Sequence, residues 1–222
     1  MSVQQLDQYR FLAPFYEKLA FFVFRNELKS AHLDLIIEAQ EELKQARTIV
    51  WLGGGTGICI NQVLKQAPQA KLLYIEASKA MISRAQAQID ARYTMRVEWI
   101  NEKHSWLYEP KQVQRWLKEP IDTMLTFFFL DVLPQKECLD LMYLAKKQVI
   151  QTWLFADFVP QKAWYKKAFI RFMYLCFVLT TKIQQKKLLD HRTLFLKSTW
   201  YEQVESRKLR ANGLVVSSLF KP

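Results

Sequence analysis

Gly53-Gly54-Gly55-Thr56-Gly57 gathers four of the chain's five glycines into five positions. Glycine accepts left-handed backbone angles and close approach, so this run marks a sharp turn lying against something that a Cβ would obstruct. An apolar run, Ile49-Val50-Trp51-Leu52, precedes it, and Ile58 to Leu64 follows with a helical pattern. Strand, turn and helix in that order bring a helix N-terminus, with its unpaired N–H groups, to the carboxyl edge of a parallel sheet, where ligands bind. The spacing is G-x-G-x-G; the dinucleotide pattern G-x-G-x-x-G would need glycine at position 58, and Ile58 stands there. Nineteen residues beyond Gly57, Glu76 closes a second short apolar run. An acid at that distance and at a strand end can accept hydrogen bonds from both hydroxyls of a ribose. Asp131 and Asp157 also lie near the ends of apolar runs, and a carboxylate beside a cleft can take a proton from a reacting group. Helix capping and loop structure are their alternative roles.

Other chemistries find no residues to carry them. His32, His104 and His191 stand at ligand spacing neither from one another nor from a cysteine, so no metal site is expected. The three cysteines, Cys59, Cys138 and Cys176, are odd in number and form no C-x-x-C pair, which predicts reduced, buried thiols in a cytoplasmic protein. Residues 1–7 show no basic segment followed by an apolar one, so no secretory signal is expected.

These residues need alternating strands and helices to position them. The helix after the glycines runs to about Gln66 and stops before Pro68. Lys71 to Ile75 reads as a strand, Ser78 as the N-cap of a helix through Met81, Ile82, Ala85 and Ile89, and Met95 to Ile100 as a third strand. The run from Ile121 to Leu133 is too apolar for a surface strand and reads as a central fourth strand with the loop at its carboxyl end. Pro134 then opens a helix that ends in Lys146-Lys147, as the helix dipole favours. Gln148 to Asp157 reads as a fifth strand, and Trp200 to Ser206 and Leu214 to Phe220, joined through Asn212-Gly213, as a hairpin.

The glycine turn, the acid that follows it, and Glu-Ala-Ser-Lys-Ala-Met at 76–81 together resemble the class I S-adenosylmethionine-dependent methyltransferases. Tyr9 to Glu17, with Ala13 and Tyr16-Glu17 in place, is similar to the N-terminal element of the ubiquinone/menaquinone group, which folds over the cofactor. The resemblance implies an α/β, Rossmann-like sheet of about seven strands, mostly parallel with the last antiparallel, and helices on both faces. It implies S-adenosyl-L-methionine as cofactor, bound by Gly53, Gly54, Gly55, Thr56, Gly57, Glu76, Ala77 and Met81, with Tyr16 above. Glu102 would meet the adenine, and Phe127 and Phe128 would line the cleft beside the sulfonium. Asp131 and Asp157 are the candidate bases. The N/D-P-P-Y signature of amino-group methylation is absent, since Phe127-Phe128-Phe129-Leu130 occupies its place, and Trp51 stands where the family carries an acid two residues before the first glycine.

The 222 residues suit a single domain with an N-terminal helical cap over about 1–46 and a helical insertion over about 161–197. Residues 26–46 repeat apolar positions as an amphipathic helix does. The stretch from Trp164 to Thr181 is apolar but interrupted by Arg171, and shorter than the roughly 20 residues a bilayer requires. Of the formal net charge of +11, most falls in residues 161–222, where 13 Lys or Arg face 3 Asp or Glu. Two readings follow. A methyltransferase would act on a small acceptor, aromatic or lipophilic and able to bear an acidic group, with nucleic acid disfavoured and peripheral membrane contact left open. A non-catalytic relative would instead bind RNA or a membrane surface through the basic C-terminal part.

Overall fold

The structure, a computed structural model, describes residues 27–109, 120–148, 150–159, 203–210 and 215–221, together with Trp164, Lys167 and Phe195. Its helices are α1 (Glu27–Glu38), α2 (Gln40–Gln45), α3 (Ile60–Gln66), α4 (Lys79–Gln88) and α5 (Gln135–Lys147). Seven strands, β1 (Thr48–Leu52), β2 (Lys71–Ile75), β3 (Val97–Ile100), β4 (Thr123–Phe127), β5 (Thr152–Phe158), β6 (Gln203–Arg210) and β7 (Val215–Lys221), form one sheet. Their order is β3-β2-β1-β4-β5-β7-β6. The first five strands are parallel, and β7 runs antiparallel between β5 and β6. This is the architecture the apolar runs predict.

β1, β4 and β5 are buried along their whole length, as strands covered on both faces must be. Successive residues of β1 feed opposite cores: Ile49 and Trp51 pack with Leu35, Ile60 and Leu64 on one face, whereas Val50 and Leu52 pack with Leu141 and Phe155 on the other. The strand order reverses between β1 and β4, which opens a crevice at their carboxyl ends. Opposite that crevice, Oδ2 of Asp122 accepts hydrogen bonds from the backbone N–H of Arg47, at 2.7 Å, and of Thr48, at 3.2 Å, and so fixes where β1 starts against β4.

Several boundaries move from their expected places. The 26–46 helix bends at Ala39 into α1 and α2, although helical hydrogen bonds continue through it, from Ala39 to Leu35 and from Leu43 to Ala39. β3 starts at Val97 because Asp90 caps a 3-10 turn over Ala91–Arg96, which leaves Met95 95% exposed. The Arg96 side chain bonds the carbonyls of Leu64, Ala67 and Ala70, which ties that turn to the end of α3. β5 begins at Thr152, since Gln148 is taken up in ending α5. In the hairpin, β6 lies later than expected and carries a register shift between Val204 and Ser206, and its turn falls outside the described residues. Most of the apolar stretch from Trp164 to Thr181 also falls outside them. Among the described residues no helix is long and apolar enough to cross a membrane.

Candidate active site

The carboxyl ends of β2, β1 and β4 surround a cavity of about 420 Å³, a size that suits a small-molecule ligand. The glycine turn forms its floor. Gly53 N–H donates to the Ile75 carbonyl at 2.9 Å, carrying the β1–β2 pairing into the turn. Gly55 has φ +59°, and no atom lies within 4 Å of where its Cβ would be, so its bare backbone faces open cavity. Gly57, at φ +72°, serves packing instead. A Cβ there would come within 2.8 Å of Ala85 Cβ, so the missing side chain lets α4 sit against the turn. Gly57 does not line the cavity, whereas Gly53, Gly54, Gly55 and the buried Thr56 do.

Glu76 follows β2 and is held from both sides. Its Oε2 accepts the Gly55 N–H at 3.1 Å and its Oε1 the Ser78 N–H at 2.8 Å. Burial raises its pKa, and the backbone N–H groups of Ser78, Gly55 and Ala77 oppose that rise. A carboxylate oxygen accepts two hydrogen bonds, so each retains capacity toward the cavity it lines. Tyr74 hydroxyl donates to the Gly55 carbonyl at 2.9 Å, and the Asn101 amide donates to the carbonyls of Glu76 and Ala77, both at 3.0 Å. The acid is therefore positioned before any ligand arrives. Ala77, Met81 and Glu102 complete this side of the cavity, with Ser78 capping α4 through the Met81 N–H at 3.4 Å.

The opposite wall is aromatic. Phe127, Phe128 and Phe129 follow one another at the end of β4, and all three line the cavity. Phe128 has φ +53°, the one left-handed residue other than glycine among the described residues. Such a conformation costs about 1–3 kcal/mol and persists where surroundings enforce it. Here the Phe128 N–H donates to the Ala156 carbonyl at 2.7 Å and its ring meets Phe158 at 5.1 Å. The ring of Phe129 lies against Gly53, where a side chain would collide with it.

The two candidate bases separate. Asp131 is buried and lines the cavity. Asp157 is fully buried and does not line it: Oδ2 accepts the Asp131 N–H at 2.9 Å and Oδ1 the Phe158 N–H at 2.8 Å. Burial, followed by the Asp131 carboxylate, pushes Asp157 well above the usual carboxylate range. Its place is that of a clamp between the ends of β4 and β5. Tyr16 lies outside the described residues.

Two histidines join the site that the spacing of the sequence did not assign to it. His104 is half-buried in the wall, edge-on to Phe129 at 5.7 Å and to Tyr108 at 6.0 Å. Its Nε2 lies 3.1 Å from Oε2 of Glu137 in the first turn of α5, close enough to pair electrostatically but out of line for a directed hydrogen bond. Burial lowers the His104 pKa, Glu137 opposes this, and Lys103 adds to it. His32, on α1, is 8% exposed and stacks on Phe127 at 4.6 Å. The helical spacing that buries Ala31, Leu35, Ile36 and Ala39 places position 32 on their face, which was the available signal.

Trp51 stands two residues before the first glycine of the turn. Its ring is buried beneath the turn, 5.5 Å from Tyr74 and 5.4 Å from Phe127, and takes no part in lining the cavity.

A seven-stranded sheet in this order, with a glycine turn after β1 and an acid after β2, is the class I methyltransferase fold. Solved structures bear this out. An O-methyltransferase family protein from Burkholderia thailandensis is 17% identical, with a TM-score of 0.64 over 87% of this chain and 56% of that one. An O-methyltransferase family 2 protein from Planctomyces limnophilus, solved in complex with apigenin, is 17% identical, with a TM-score of 0.64 over 100% and 62%. CalO1, a methyltransferase in calicheamicin biosynthesis solved with S-adenosylhomocysteine bound, is 15% identical, with a TM-score of 0.56 over 87% and 54%. The chain thus spans between 54% and 62% of the length of these three. No family model matches the sequence, and no curated protein does.

Proposed function

We propose that this chain transfers a methyl group from S-adenosyl-L-methionine to a small acceptor, aromatic or lipophilic and able to carry an acidic group. The observation that carries the reading is Glu76: a buried carboxylate, fixed by two N–H groups, beside a left-handed glycine with open space before it. Those features fit a ribose lying across the turn, and neighbours that are O-methyltransferases by name support a hydroxyl acceptor. When bound, the cofactor would supply an electrophilic methyl group on its sulfonium.

The chain's own residues would do the rest by positioning and by excluding water. Glu76 receives the ribose hydroxyls, and Glu102 stands at the β3 edge where the adenine would lie. The three phenylalanines at the end of β4 make an apolar wall for a flat acceptor. A hydroxyl acceptor must lose its proton as its oxygen takes the methyl group. His104, lining the cavity with a carboxylate beside it, is placed to receive that proton on a ring nitrogen. Asp131 is held to Asp157 by its backbone N–H and takes the structural part.

Calorimetric titration with S-adenosylhomocysteine tests the cofactor site without an identified acceptor. Binding with a Kd on the order of micromolar is expected, weakened about tenfold or more in Glu76→Gln, because hydrogen bonds to a charged group contribute about 1.5–3 kcal/mol. Unchanged affinity in that variant would defeat the ribose assignment. An absence of binding at millimolar ligand would defeat the reading as a whole. Once binding is established, phenols and hydroxyquinones bearing an acidic group are the acceptors to screen by methyl incorporation.

A further inference from the structure

Among the described residues, His32 is the one polar side chain that α1 contributes to the cavity wall, and its two ring nitrogens differ. Nδ1 lies 3.8 Å from Sγ of Cys59, at the start of α3. Burial pushes the Cys59 thiol up to about 12, so its sulfur keeps its proton and can offer it to Nδ1. The 3.8 Å contact accommodates either tautomer, and with Sγ as the donor the ring hydrogen sits on Nε2. Nε2 is itself buried and has no hydrogen-bond partner among the described residues. A buried N–H without an acceptor costs about 1–3 kcal/mol, so its presence calls for a ligand atom that accepts it. Burial also holds the ring's pKa down to about 3, so the site presents a neutral donor at physiological pH.

The sheet order says which part of a ligand would meet it. With Glu76 on the ribose at the end of β2 and Glu102 on the adenine side at β3, the remainder of the cofactor would run the other way, over β1 toward β4. Strands lie about 4.8 Å apart, so β4 is about 10 Å from β2. His32 stands there, stacked on Phe127, the last residue of β4, and beside Cys59, two residues past the last glycine of the turn. Trp51, buried beneath the turn, supplies no acid for the amino group at that end.

We infer that the Nε2 hydrogen of His32 is donated to the carboxylate of the cofactor's amino-acid end, so that this chain anchors that end by its carboxylate through a neutral donor. The inference rests on the cofactor reading above. A neutral donor bonded to a carboxylate in a dry site makes a short, charge-assisted hydrogen bond without placing a second cation beside the sulfonium. His32 is a binding residue on this account, and its ring, stacked on Phe127 and tilted against Phe128, is held in one orientation.

The test compares two ligands in one titration series. S-adenosylhomocysteine carries the amino-acid end; 5′-methylthioadenosine keeps the adenosine and the sulfur but lacks it. His32→Phe retains a ring to stack on Phe127 and removes the donor. It is expected to weaken S-adenosylhomocysteine about tenfold or more and to leave 5′-methylthioadenosine within about twofold. Glu76→Gln is expected to weaken both. Unchanged S-adenosylhomocysteine affinity in His32→Phe would overturn the inference, and so would an equal loss for both ligands, which would mark a distorted site. Nitrogen NMR of the free protein gives an independent check, because the inference requires the Nε2–H tautomer; an Nδ1–H tautomer would overturn it. If the wild-type chain bound neither ligand, the cofactor reading would fall first. Binding of both ligands with no effect of His32→Phe would fell the inference alone.

Discussion

At the scale of single residues, two glycines with almost the same backbone have opposite neighbours. Gly55 (φ +59°) faces empty cavity and Gly57 (φ +72°) faces Ala85 on α4. Substitution by alanine imposes a left-handed cost of about 1–2 kcal/mol at either position. Only Gly57→Ala adds an overlap within the packed protein, worth a further cost of about 1–3 kcal/mol. Urea denaturation should therefore rank Gly57→Ala as the less stable variant. Titration with S-adenosylhomocysteine should rank them the other way among molecules that remain folded, because the methyl of Gly55→Ala projects into the ligand's space. Equal affinity of Gly55→Ala and the wild-type chain would show that the ligand does not approach the turn there.

At the scale of elements, the ends of β4 and β5 are held together by Asp157, whose carboxylate accepts N–H groups from both. Its side chain also hydrogen-bonds that of Asp131, and burial together with that neighbour raises its pKa well above the ordinary value. A raised carboxyl pKa means that the folded state binds more proton than the unfolded chain between the ordinary aspartate range and the raised value. Stability from this pair is present at low pH and is lost as pH rises through that window. Asp131→Asn puts an amide N–H where the shared proton lies and removes the neighbouring charge. The expected outcome is a flatter dependence of unfolding free energy on pH between the ordinary aspartate range and neutrality, with β5 still in register. An unchanged slope in urea titrations across that range would locate the dependence elsewhere.

The same elements show what could be read from the sequence. Strands β1, β2, β4 and β5 announce themselves as apolar runs, and Glu76 and Ser78 by their distance from the glycines, because strand, turn and cap are local in the chain. Boundaries moved where a competing local signal won, as at Asp90, which caps a 3-10 turn where an earlier β3 was expected. The two histidines were not assignable from spacing. His104 meets Glu137 thirty-three positions later, and His32 meets Cys59 and Phe127 across three elements. Such partnerships exist only after the sheet has brought its edges together. The hydrophobicity of Trp51 was legible but not its consequence, which is that a buried ring fills the space beneath the turn.

At the scale of the whole molecule, the cavity joins two cores that the sheet keeps apart. His32 and Phe127 pack with the face bearing α1 and α3, whereas Phe129 and Leu133 belong to the face bearing α5. A ligand bound between them would stabilise both faces together and so raise the global transition. A single-site ligand at a hundred times its Kd stabilises the folded state by about 2.7 kcal/mol. For a domain of about 150–250 residues each kcal/mol moves Tm by about 2–4 °C, so S-adenosylhomocysteine should raise Tm by about 5–10 °C. Glu76→Gln, weakened about tenfold or more, should lose about half or more of that shift at the same ligand concentration. A wild-type Tm that stays put at high ligand concentration would mean that the folded chain does not bind S-adenosylhomocysteine, and the cofactor reading would fall. The basic residues of 161–222 would then be the residues to examine.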